Sequence, residues 1–177
     1  EEAQLAAATN GALFKDSNQA FSKIRNQLQQ GYPEAVRLRR LAQETAWMAQ
    51  RGQYNVPRLL QRNDKLTTML AFSHFAESAM RAAHLCARNY APYYKWLLHS
   101  TEQLPQGAEL AALLQKSTTL PLKQWETEII APVCAIIAKQ MKEQGISTQE
   151  ESYMQVHAEA AAQQAALLEQ KEALVEK

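Results

Sequence analysis

From Lys65 to Arg88 the chain runs without a glycine or a proline, and its apolar residues recur at helical spacing on more than one side. Leu66, Met69, Leu70, Ala76, Met80 and Ala83 cover one face, while Phe72, Phe75, Ala79 and Cys86 cover much of the other. A helix that is apolar nearly all round has to be buried. This stretch is therefore predicted to be a central helix, and other helices must surround it. Turn residues agree. Only five glycines and six prolines occur in 177 residues, nearly all at expected helix ends, whereas an all-β fold needs many turns. No segment alternates apolar and polar residues as a half-buried strand would.

The remaining helices follow from caps and breakers. Asp16 with Gln19 resembles a capping box ahead of Phe21, Ile24 and Leu28, and Gly31 closes that helix. Pro33 opens the next, over about 33–51, with Gly52 as its stop. A connector, Gln53-Tyr54-Asn55-Val56-Pro57, leads to a brief turn carrying Arg58 and Arg62, and Asn63 or Asp64 caps the central helix. Pro92 opens a helix ended by Pro105 and Gly107, a short one covers 108–118, and Pro121 opens a long one to Gly145. Pro132 should kink that last helix. Ser147-Thr148-Gln149-Glu150 reads as a capping box for a final Ala- and Gln-rich helix. The expectation is an all-α, single-domain bundle of six or seven helices, one Pro-kinked, over residues 17–177. Residues 1–16 form a linker or helical lead-in.

The chemistry that this sequence lacks narrows its function. Its two aspartates, Asp16 and Asp64, stand at unrelated helix starts, and there is no Asp-x-Asp to hold magnesium. Glu126-x-Glu128 points to two sides of a helix. No two of the four histidines are spaced four apart, so a zinc-protease helix is absent. Walker, GxGxxG and GxSxG signatures are also missing. The reading is therefore no catalytic residue, no metal site and no cofactor of the chain's own. Cys86 and Cys134 lie in apolar helical stretches without CxxC spacing, as free thiols of a reducing, cytoplasmic compartment would; a disulfide between them stays open. No apolar run reaches membrane-spanning length, and no signal peptide is visible. The chain opens Glu1-Glu2 without methionine, which reads as an excised domain or a processed chain.

Charge is uneven along the chain. All nine arginines lie between Arg25 and Arg88, and residues 101–177 are acidic. On a helical wheel Arg37, Arg40 and Arg51 fall with Glu44 in a strip roughly 60° wide beside the apolar face. Such a bias suits an anionic partner. Two clusters stand out. In the first, Arg51, Gln53, Tyr54, Asn55 and Arg58 gather at a helix junction, where arginines can fork onto phosphate or carboxylate. In the second, Tyr94, Lys95 and Trp96 place aromatic faces beside a cation at a helix start, an arrangement able to stack a base or sugar. A second function class is also open. Tyr153, Ala160, Leu167 and Leu174 recur every seven residues, a seam for an oligomer or a partner helix, interrupted by His157, Gln164 and Lys171.

The order Asn10-Gly11…Phe14…Asp16…Phe21…Ile24-Arg25…Leu28…Tyr32-Pro33-Glu34, then Gln50-x-Gly-Gln-Tyr-Asn55…Arg58, then Tyr90-x-Pro-x-Tyr-Lys95-Trp96, resembles the domain of unknown function 4037, over roughly residues 10–160. In that family such a helical segment follows a small nucleotidyltransferase-like domain. The resemblance implies an upstream nucleotidyltransferase domain as partner, which would bring the Gly-Ser loop, the paired carboxylates and any magnesium with nucleotide. This chain would then supply a non-catalytic wall of a substrate cleft. Arg51, Arg58 and Lys95 would face phosphate or another anion, Tyr54, Tyr94 and Trp96 would stack, and Gln53 and Asn55 would give directional hydrogen bonds. The expectation that matters most is that both clusters converge on one concavity.

Overall fold

The computed structural model describes residues 2–175, and among them every regular element is helical. The α-helices are α1 (Glu2–Thr9), α2 (Ala20–Leu28), α3 (Glu34–Trp47), α4 (Val56–Gln61), α5 (Lys65–Cys86), α6 (Tyr94–Glu102), α7 (Gly107–Gln115), α8 (Ala131–Glu143) and α9 (Met154–Val175). The all-α reading holds. Because α3 runs on through a π-helical segment, Met48–Asn55, into α4, these elements form eight rods. The rod beyond the expected seven is α1, formed by the alanine-rich lead-in.

The core lies where the rod from Glu34 to Gln61 packs on α5 and α9, and α8 packs on both of those helices. Leu38, Leu41, Met48, Phe75, Leu85, Ile129, Ile137, Met141 and Met154 are all sealed there. Phe75 lies against Gly52, where a Cβ would run into its ring. Burying a phenylalanine in this way contributes roughly 1.5–3 kcal/mol. Gly52 is thus a packing glycine inside a helix and does not stop it.

Two prolines sit alike for one reason. A proline inside an α-helix lacks its N–H, and its ring crowds the carbonyl four residues back. Pro57 and Pro132 are each the second residue of an α-helix that directly follows a π segment, Met48–Asn55 and Glu126–Ile130 respectively. The wider turn, with its i→i+5 ladder, gives the ring room. The two π segments also contact each other across the core.

Burial shows where the apolar pattern misleads. The C-terminal part of α5 is sealed, but Leu66, Met69 and Leu70 are exposed by 70%, 53% and 54%, so only part of that helix is central. No residue of α2 is buried, although Phe21 and Ile24 repeat at helical spacing. On α9 the buried register is Met154, Ala158, Ala161 and Ala165, turned against α3. The heptad row beginning at Tyr153 faces outward instead, with Leu167 and Leu174 exposed, while His157 of the interrupting set is buried.

Caps complete the frame. Asp64 accepts from the Thr67 amide at 3.1 Å, and Asp16 accepts from the Ser22 amide and hydroxyl, both at 2.7 Å. The Ser147 capping box does not form, because α9 starts only at Met154. Ser147 instead donates its hydroxyl to Nδ1 of His157 (2.8 Å), whose Nε2–H donates to the Glu151 carbonyl (2.9 Å). Cys86 and Cys134 are buried and free, and burial pushes the Cys86 thiol up to about 12. No described helix is long and apolar enough to cross a membrane.

Candidate functional site

The rod from Glu34 to Gln61 and helix α5 meet along a polar seam, and each arginine on it can be followed to its partner. Arg37 is sealed: it donates to both oxygens of Glu34 (3.0 and 2.7 Å), to the Leu85 carbonyl (3.0 Å) and to Gln144 (3.2 Å). Hydrogen bonds from Arg37, and then from Arg88, hold the Glu34 carboxyl down to about 2. Arg37 therefore serves the core, and the predicted arginine strip does not form one open face.

Midway along the seam, α1 inserts Glu2. Its carboxylate accepts from Arg40 (2.9 Å), Arg81 (3.1 Å) and the Ala91 amide (3.2 Å). Arg81 is also held by Glu77, at 2.9 and 3.0 Å. Beside them lies Glu44, whose carboxyl is pushed up to about 7 by burial, against the opposing pull of the Ser78 hydroxyl and Arg81. Ser78 in turn accepts from Arg51 at 3.2 Å.

Arg51 leads into a cleft of about 440 Å³, lined with Asn55, Arg58, Arg62 and His74 among others and by no carboxylate. Arg51, Arg58 and Arg62 form no ion pair among the described residues, whereas Arg37, Arg39, Arg40, Arg81 and Arg88 each do. Two of the three guanidiniums are braced by rings: Arg51 lies 4.4 Å from the Trp47 centroid and Arg58 lies 4.1 Å from that of Tyr54. Bracing of this kind limits the side-chain entropy that ligand binding would remove.

The other predicted residues go elsewhere. Gln53 is engaged within the fold: its Oε1 accepts from the Met154 amide (2.8 Å) and its Nε2 donates to the Ser152 carbonyl (2.7 Å). It thus caps α9 from a hundred residues away in sequence and offers no free hydrogen bond to a ligand. Tyr54 stands outside as the support of Arg58. Tyr94 and Lys95 are exposed and line neither the basic cleft nor the cleft that Trp96 enters. Trp96 lines a second cleft, of about 780 Å³, between α1 and α6.

The two clusters therefore do not share a concavity. They open at opposite ends of α5, with Glu2, Arg40 and Arg81 between them. Sequence reasoning left Arg62 and His74 out of the first cleft. Arg62 follows Arg58 by four residues, so continuing the helix through Pro57 would have found it. His74 carries no local signal. Among the described residues no group of three or more His, Cys, Asp or Glu side chains could hold a metal.

No curated protein and no solved structure matches this chain. The family model of a domain of unknown function matches residues 1–97, which takes in the lead-in helix, both polar clusters and the whole seam, and leaves α7 to α9 outside. The match starts earlier and ends sooner than the resemblance over residues 10–160 implied. Since it covers more than half of the 177 residues, the chain belongs to the domain of unknown function 4037 family.

Proposed function

We propose that this chain is a non-catalytic, substrate-binding accessory domain of a nucleotidyltransferase-like protein, and that its basic cleft holds the anionic part of the substrate. One observation carries the reading: the three arginines Arg51, Arg58 and Arg62, which have no carboxylate partner, line the same cleft. Guanidiniums left unpaired and braced on rings bind phosphate oxygens by charge-assisted, often bidentate hydrogen bonds. Asn55 adds a directional donor and acceptor. Metal chemistry would come with the nucleotide from an upstream domain.

Calorimetric titration with ATP, without magnesium, tests this. Half a cleft should bind weakly, with Kd on the order of 0.1–1 mM. Replacing Arg58 and Arg62 together by alanine should weaken binding about tenfold or more. Unchanged affinity in the double variant would overturn the proposal, as would magnesium-dependent nucleotide turnover by this chain alone.

A further inference from the structure

The larger cleft, of about 780 Å³, has the size of a small-molecule site. One wall is α1, which turns Ala3, Ala6 and Ala7 to it. Opposite stand Tyr93 and Trp96, exposed by 52% and 62%; the Tyr93 ring packs on Tyr94 at 4.5 Å, and Trp96 offers its flat face for stacking. The end of α5 forms the floor. There Nδ1–H of the buried His84 donates to the Met80 carbonyl (2.9 Å), which only accepts, so in the neutral ring Nε2 accepts from the Ser100 hydroxyl (3.0 Å).

The charges on the rim select against ions. No carboxylate lines the cleft, so a cationic ligand would find no ion-pair partner there. Its one arginine, Arg88, is forked onto Glu34 at 2.7 and 3.2 Å, which leaves no free guanidinium for a phosphate. What remains open to a ligand is aromatic faces and side-chain amides. Those of Asn89 and Gln103 make no hydrogen bond among the described residues, and each presents a donor beside an acceptor. That pairing matches the edge of a nucleobase, and base–aromatic stacking tolerates any base.

We infer that the cleft between α1 and α6 binds the uncharged ring of a nucleoside, stacked on Trp96 beside Tyr93 and read at its edge by Asn89 and Gln103. The site is separate from the basic cleft and does not depend on the anion reading.

Adenosine, which carries no phosphate, is the probe, with maltose as the test of a plain sugar site. Trp96 is the most exposed tryptophan, so saturable quenching of fluorescence by adenosine should report it. Trp96→Ala should weaken binding about tenfold or more, measured by ligand-observed NMR. Because that side chain is largely exposed, the fold should persist, as circular dichroism will show. Ala6→Phe, which fills the cleft from the facing wall, should also abolish binding. Arg58→Ala with Arg62→Ala should leave adenosine affinity unchanged, so the two sites can fail separately. The inference is overturned if adenosine does not saturate, if Trp96→Ala binds it as well as the parent chain, or if maltose binds and adenosine does not.

Discussion

At the residue scale, Glu44 links the core to the basic cleft. Its carboxyl is held near 7 by burial, and it faces the Ser78 hydroxyl, Arg81, Glu2 and Glu77. A carboxyl with a raised folded-state value keeps its proton in the folded chain over a range where the unfolded chain has lost it. Stability is therefore full below about 4.5, falls as pH rises from there to about 7, and levels off above. The loss should be on the order of 3 kcal/mol. Denaturant unfolding at a series of pH values checks it, and Glu44→Gln should flatten that part of the curve. Since Ser78 also receives Arg51, ionisation of Glu44 should strengthen that hydrogen bond at the mouth of the basic cleft. Glu44 was legible in sequence as a neighbour of Arg37, Arg40 and Arg51, but its burial was not, because burial depends on how α3 packs against helices distant in sequence.

At the element scale, the Gln53 cap on α9 is a junction that only tertiary structure reveals. A capping residue normally lies just before its helix, so sequence reasoning looks for it there and finds Ser147. Here the first amide of α9 is satisfied by a side chain from the π segment. Gln53→Ala should cost about 1 kcal/mol and speed hydrogen exchange at the Met154 amide, with little change in α5. Helices whose breakers behave locally were legible throughout: Gly31 before α3, Asp64 before α5 and Gly145 after α8. Where the pattern failed, a second element had intervened. The Phe75 ring accounts for Gly52, so that glycine marks no end, while Pro57 stands at the start of α4 after the wider π turn.

For the whole molecule, the one fully buried residue of α1 is charged: Glu2 anchors the helix, while Ala3, Leu5, Ala6 and Ala8 are only partly buried. Glu2→Ala should weaken its docking by about 2 kcal/mol, which raises the undocked population roughly thirtyfold. Limited proteolysis should then cut faster between Thr9 and Asp16. The larger cleft would lose a wall, so its adenosine affinity should drop while the basic cleft keeps its ligand. Bundle class was legible because periodicity and breakers are local. The separation of the two clusters was not, because it follows from a plug that long-range folding puts between them.

The π segment at Met48–Asn55 has a rotational consequence for everything beyond it. Such a turn contains more residues than an α-helix of equal rise, and each surplus residue swings the following side chains by about 100° around the axis. Arg58 and Arg62 lie beyond that segment and line one cleft with His74. Deleting one residue from this stretch would leave the hydrophobic face of α3 in place while aiming both guanidiniums away, so the basic cleft is indexed by residue count as much as by residue type.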